Sequence, residues 1–224
     1  MQTLSVPMAY NLRALELKSV SSRIGSELME TELETRSYRQ TAWILVVGGI
    51  IGIFASIELI IQKISVLSNP DFVPNCDINP VLSCGSVINT EQASLFGFPN
   101  PVLGVIGFTI VIMFGALLFA GVELPRSMWL GLNLGALAGM FFVVWLVGQS
   151  LYVIGALCPW CMVVWAVTIP IFWQVTTDNL ASNRLSLGKS LSEIIVALKW
   201  ILMGATYLII MALIFVRWQD FWLK

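Results

Sequence analysis

The sequence predicts an all-α integral membrane protein, with four transmembrane helices forming a bundle and a fifth transmembrane helix beside it. Three observations carry this. Of 224 residues, 58% are hydrophobic and 11% charged, with a mean hydropathy of +0.86; soluble domains carry about 25% charged residues. Five apolar runs approach the roughly 20 residues that a helix needs to cross about 30 Å of hydrocarbon. Lys and Arg are also divided unevenly between the two sides that these runs define.

Residues 1–40 read as a charged cytoplasmic extension. Arg13, Lys18, Arg23, Arg36 and Arg39 alternate with Glu16, Glu27, Glu30, Glu32 and Glu34, and no apolar core interrupts them. That is not the pattern of a signal peptide, so the first apolar run is expected to stay as an anchor. Within 10–35, Leu12, Leu15, Leu17, Val20, Ile24 and Leu28 fit an amphipathic helix lying on a membrane, and fit a solvated tail as well.

Residues 41–176 hold the bundle. The predicted spans are Trp43–Ile61, Pro101–Val122, Met128–Leu151 and Cys158 to about Val175. Between the first two lies a polar loop, 62–100, with Asp77, Asn79 and Pro80 as turn formers. Its segment Ala93–Pro101 is apolar but broken by Gly97, Pro99 and Pro101. It is too short to span and reads as a plug or re-entrant cap. Residues 177–224 form a polar cytoplasmic connection, 177–198, and a fifth span over Trp200–Val216. That span has only 17 residues, flanked by Lys199 and Arg217, whose long side chains can snorkel. Trp43, Trp129, Trp200 and Trp218 stand near span ends, where interfacial aromatics collect.

Placing the N-terminus in the cytoplasm puts Arg13, Lys18, Arg23, Arg36, Arg39, Arg126, Arg184, Lys189 and Lys199 inside. Only Lys63, Arg217 and Lys224 fall outside, nine against three. The same orientation places all four cysteines outside, where disulfides persist. The net charge of −1 argues against a nucleic-acid partner. The absence of histidine removes most metal sites and the usual general base.

The cysteines form two pairs. Cys76 and Cys84 are spaced C-x7-C in the polar loop, and Cys158-Pro159-Trp160-Cys161 opens the fourth span. Cys158 fits the N-cap of that helix with Pro159 at its first position. There the helix N-terminus favours a thiolate, making Cys158 the more reactive of the pair. Cys161 lies one turn deeper on a similar face. Cys84 fits the start of a short helical turn beside Ser83. Thiolate attack on a disulfide moves two electrons per step and needs only cysteines within reach. Two dithiol pairs at a membrane surface therefore read as a relay from thiols to something in the lipid. Two structural disulfides, a four-cysteine zinc site or unrelated buried thiols are the competing readings. Trp160, Trp165, Phe141, Phe142 and Trp145 fit the wall of an apolar pocket for an aromatic ring, or ordinary packing and lipid-facing positions. Glu58, the one acid within the first span, is a functional candidate by its depth. Its nearness to Gln62 and Lys63 at the outer boundary favours a structural role.

CDINPVLSCG at 76–85, FGFPNPVLG at 96–104 and CPWC at 158–161 resemble, in order and spacing, the bacterial branch of the vitamin K epoxide reductase family. The resemblance covers about Trp43 to Trp173. It implies a four-helix bundle around a quinone site, and a DsbB-type thiol:quinone oxidoreductase using menaquinone or ubiquinone. DsbB-like proteins themselves carry their C-x-x-C first, in an outer loop, which is the opposite order. The resemblance implies that Cys76 exchanges with a partner's dithiol, Cys84 relays to Cys158, and Cys161 faces the quinone. Asn100 would hydrogen-bond a quinone carbonyl. Trp165 stands where vertebrate members have a Tyr, which weakens the case for epoxide chemistry and leaves quinone reduction untouched. Bacterial members often continue their fifth helix into a thioredoxin-like domain. Here the sequence ends at Lys224, so the expected partner is a separate thioredoxin-like, DsbA-like oxidoreductase outside the cytoplasm. The remaining readings are a quinone or quinone-epoxide reductase fuelled by thiols, and a non-catalytic membrane protein with structural disulfides.

Overall fold

A computed structural model describes residues 38–69 and 71–223; the amphipathic run at 10–35 lies outside the described residues. Among the described residues, five helices are long and apolar enough to cross a membrane. They are α1 (Tyr38–Ser68), α3 (Pro101–Phe119), α4 (Arg126–Gly148, continued by a π-helical turn, Gln149–Ile154), α5 (Pro159–Ala181) and α7 (Lys199–Arg217). Short elements fill the connections: α2 (Cys84–Ile88) and a 3-10 turn (Glu91–Ser94) between α1 and α3, α6 (Lys189–Ala197) before α7, and α8 (Gln219–Trp222) after it.

The helices outrun the apolar segments where polar residues find partners. α1 continues seven residues past Ile61 to Ser68. On that stretch Gln62 donates to Glu58 at 2.8 Å and Lys63 Nζ donates to the Ile88 carbonyl, at the end of α2, at 2.7 Å. α5 passes Val175 and stops at Ala181. Thr177 returns its hydroxyl to the Trp173 carbonyl at 2.8 Å, and Asn179 donates to the carbonyls of Val175 and Trp129. Polarity thus ends the apolar run without ending the helix. The connection expected over 177–198 is accordingly shorter and contains α6.

Helices in lipid gain nothing from burying apolar surface against one another, so close van der Waals packing must hold them. α1 and α3 use small residues for this. A Cβ on Gly52 would meet the Phe108 ring at 2.6 Å, and one on Gly104 would meet the Ser56 Cβ at 3.2 Å. The core beneath is Leu45, Phe108, Phe114, Trp129, Leu132 and Val175. At the end of the bundle away from the cysteines, Thr41 donates to Asp178 and Gln174 donates to Thr41. Lys199 Nζ donates to Gln174 Oε1 at 3.0 Å. This chain ties α1, α5 and α7 together. α7 docks on α5 again through Trp173 Nε1 donating to Thr206 and Tyr207 donating to the Ala166 carbonyl.

Gly52→Leu drives a side chain into the Phe108 ring and should cost about 1–3 kcal/mol. Gly107, with nothing among the described residues within 4 Å of its position, is the control. Thermal unfolding in detergent should show Gly52→Leu well below wild type and Gly107→Leu close to it; equal midpoints for the two variants would contradict this packing.

Candidate redox site

The 76–85 loop is built by its own side chains. Asn79 Oδ1 accepts the backbone N–H groups of Val81 and Leu82 at 2.9 and 2.8 Å, the Asx turn expected of Asn before Pro80. Ile78 N then donates to the Leu82 carbonyl at 2.9 Å, closing the turn. Ser83 caps α2, its hydroxyl accepting from Ser86 N at 3.1 Å. Asp77 Oδ1 accepts from Gly85 N at 2.9 Å, and a Cβ on Gly85 would lie 2.7 Å from the other Asp77 oxygen. Gly85 is therefore a close-approach glycine that lets the carboxylate reach the helix N-terminus. On the far side of Cys76, Glu58 accepts from Asn75 at 3.1 Å as well as from Gln62. Glu58 thus tethers this loop to α1, the structural role that its position suggested.

The second pair is reached through an abrupt exit from α4. The π-helical turn ends at Gly155, whose φ of 73° is left-handed backbone that favours glycine. Ala156 and Leu157 follow, both buried. Leu157 pairs with Leu82 in an isolated parallel bridge. Leu157 N donates to the Val81 carbonyl at 2.7 Å, and Ser83 N donates to the Leu157 carbonyl at 2.9 Å. Immediately beyond, Cys158 caps α5 and accepts from Cys161 N at 3.4 Å, with Pro159 opening the helix as expected. The fourth span therefore begins at Pro159, with Cys158 just outside it.

The bridge brings the two pairs together. Cys76 and Cys84 form a disulfide, and Cys158 and Cys161 are free thiols. The Cys84 and Cys158 sulfurs are 3.3 Å apart. Cys84 and Cys158 are fully buried, and Cys76 is 5% exposed. The Cys158 thiol is held below its ordinary range. The Cys161 side chain, hydrogen-bonding to it, is the main cause, aided by the N–H groups of Cys161 and Trp160 and opposed by burial and the charge of Asp77. A thiolate at Cys158 sits 3.3 Å from a disulfide sulfur, and attack there would expel Cys76.

The other sequence-predicted residues divide. Cys161 is half-buried between the cysteine cluster and a second apolar cluster that contains Trp165, Leu151 and Leu157. Trp165 is 3% exposed and its indole N–H has no hydrogen-bond partner among the described residues. Trp145 stacks on Phe142 with ring centroids 5.8 Å apart. Phe141 is 74% exposed, turned away by the 100° that separates it from Phe142 on the helix, so it is not brought to the others. Trp160 meets Phe54 edge-on at 5.7 Å. Asn100 is buried, and its amide holds the neighbouring loop. Its Oδ1 accepts from Leu95 N at 3.0 Å and its Nδ2 donates to the Gln92 carbonyl at 2.6 Å. One amide hydrogen remains for a further acceptor. Sequence reasoning missed Val81, Leu82 and Leu157, because a bridge of one residue pair leaves no periodic trace. It also missed Ile214 and Trp218 on and after α7, which join the Trp165 cluster.

The cause of the Cys158 shift can be tested in two variants that leave one titrating thiol. In a Cys76→Ser, Cys84→Ser background, where no disulfide can exchange with Cys158, Cys161→Ser keeps a donor to Cys158 and Cys161→Ala removes it. The thiolate absorbance of Cys158 should titrate at lower pH in the Ser variant than in the Ala variant. Identical titrations would show that the Cys161 side chain does not set it.

Residues 43–176 match the family described as Vitamin K epoxide reductase family. That is more than half of the chain, and the chain belongs to that family. No individual curated protein matches it.

Proposed function

We propose that this member of the vitamin K epoxide reductase family is a membrane thiol:quinone oxidoreductase that reoxidises a separate thioredoxin-like, DsbA-like partner. Family membership makes it a membrane oxidoreductase acting on a quinone or its epoxide at the expense of thiols. The observation that supports the finer reading is the 3.3 Å approach of Cys84 to Cys158, a distance that thiol–disulfide exchange between the two pairs would need.

In this reading the outer pair, Cys76 and Cys84, takes two electrons and two protons from the partner's dithiol, which leaves as a disulfide. Cys84, as thiolate, attacks Cys158 in a Cys158–Cys161 disulfide, releasing Cys161. Cys76 then attacks Cys84, so the outer pair closes as a disulfide and Cys158 and Cys161 are left as thiols. The arrangement observed, outer disulfide and inner dithiol, corresponds to the point at which electrons rest on the inner pair. A membrane quinone, menaquinone or ubiquinone, accepts two electrons and two protons, restoring the inner disulfide, so thiol protons balance the reaction. Cys161 is the residue facing it. Trp165 supplies the fit: a buried N–H without an acceptor costs about 1–3 kcal/mol, and a quinone carbonyl is the acceptor this apolar cluster lacks. Asn100 offers its remaining amide hydrogen as a second donor, Trp145 with Phe142 supplies aromatic wall, and Phe141 borders the lipid side.

The proposed orientation has the N-terminus in the cytoplasm and the cysteines outside, in a plasma or inner membrane. It is supported by the nine-to-three division of Lys and Arg. The division into a 1–40 extension, a 41–176 catalytic core and a 177–224 tail with the fifth helix belongs to the same reading. The role would be disulfide formation in exported proteins.

Three variants separate the roles. Cys161→Ala should abolish quinone reduction while leaving the outer disulfide able to form. Cys76→Ala should spare reduction driven by a small dithiol but block a protein donor; equal loss with both donors would refute the shuttle role. Trp165→Phe removes one neutral hydrogen bond of about 0.5–1.5 kcal/mol and should raise the quinone KM roughly two- to tenfold, with the dithiol KM unchanged. An unaltered quinone KM would take Trp165 out of the site.

A further inference from the structure

α7 lies outside the residues that match the family, yet its last residue reaches the redox end of the bundle. Arg217 Nε donates to the Leu151 carbonyl at 2.8 Å. Leu151 is fully buried in the π-helical turn that closes the third span. The carbonyls of a last helical turn have no following N–H to accept from. Here Gly155 N is taken by the Ser150 carbonyl at 3.0 Å, and Leu157 N has crossed to Val81. The guanidinium therefore supplies the donor that the departing backbone withdraws, and it does so at the helix end that favours a cation. Its own placement is fixed, because Ile214 and Trp218 pack in the cluster with Leu151, Leu157 and Trp165, and the guanidinium lies 5.5 Å from the Trp218 ring centre.

We propose that Arg217 is a positioning residue for the internal thiol–disulfide exchange. It holds the end of the π-helical turn, and thereby the Gly155–Leu157 segment, so that Cys158 stays within reach of Cys84. Arg217 touches neither sulfur and acts through Leu151. The proposal rests on the relay reading only in taking Cys84–Cys158 exchange as the step that matters. The fifth helix is then a working part of the site and not only an extra anchor.

The test uses the full chain in detergent in a Cys76→Ser, Cys161→Ser background, where Cys84 and Cys158 are the only cysteines. After reduction and removal of reductant, diamide is added. It takes up two electrons and two protons as the Cys84–Cys158 disulfide forms, and closure is followed by thiol loss. Arg217→Met should close at least tenfold more slowly than Arg217, and Arg217→Lys should fall between them. In the four-cysteine protein, Arg217→Met should lower kcat for dithiol-driven quinone reduction by a similar factor and move the quinone KM less than twofold. Closure at the wild-type rate in Arg217→Met overturns the proposal, as does a change confined to the quinone KM. Should Arg217→Met not fold, Arg217→Lys decides on the same readout: closure at least threefold slower supports the role and unchanged closure overturns it. Closure involves no quinone. A wild-type protein that reduces no quinone would therefore sink the relay reading while the closure rates still decide the role of Arg217.

Discussion

Two backbone hydrogen bonds hold this candidate redox site together. Leu157 N to Val81, at 2.7 Å, and Ser83 N to Leu157, at 2.9 Å, join the outer loop to the linker before α5. Leu82 and Leu157 are the bridge partners; Cys84 stands two residues past the first and Cys158 one residue past the second, so the pairing sets where both sulfurs meet. Each such bond contributes only about 1 kcal/mol net. The loop therefore adds its own supports: the Asn79 turn, the Ser83 cap, the Asp77–Gly85 contact and the Glu58–Asn75 tether. The sequence motif around Cys76 and Cys84 is this set of supports written out in residues.

The membrane explains why the rest of the bundle is built as it is. Lipid removes the hydrophobic drive between helices, so α1 and α3 approach through Gly52, Ser56 and Gly104. The polar chain of Thr41, Gln174, Asp178 and Lys199 pins the helices at the other end. The site end is left to apolar clusters around Cys161 and Trp165. Cys158, buried, and Cys161, half-buried, sit there with an indole N–H that has no acceptor among the described residues, in the surroundings proposed to take a ring carrying carbonyls. In such low-dielectric surroundings each polar contact to that ring would count for more than in water.

Much of this was legible in the sequence. All five spans were read from apolar runs, since transfer to hydrocarbon is a property of composition and length. Cys158 as an N-cap followed by Pro159, and Cys84 after Ser83 at the start of a helix, followed from local capping rules. Facing was not legible. A lipid-exposed surface is as apolar as a core, so α4 carries no stripe to separate Phe141, which is exposed, from Phe142, which stacks on Trp145. The Leu82–Leu157 bridge joins segments 75 residues apart through one pair and has no pattern to find. Arg217 reads as a snorkelling end residue because nothing nearby in sequence announces a carbonyl across the bundle. Asn100 reads as a ligand-facing amide, and its part in holding Gln92 and Leu95 depends on how the loop folds back.

The central claim is that the two pairs are in series. Full reduction of all four cysteines under anaerobic conditions, removal of reductant and addition of a menaquinone or ubiquinone analogue would test it most directly, by counting thiols lost against quinol formed. Series transfer predicts four thiols lost for two quinols, the outer pair emptying through the inner one. Loss of two thiols for one quinol, with Cys76 and Cys84 still reduced, would contradict it and leave the 3.3 Å approach of Cys84 to Cys158 as a packing contact.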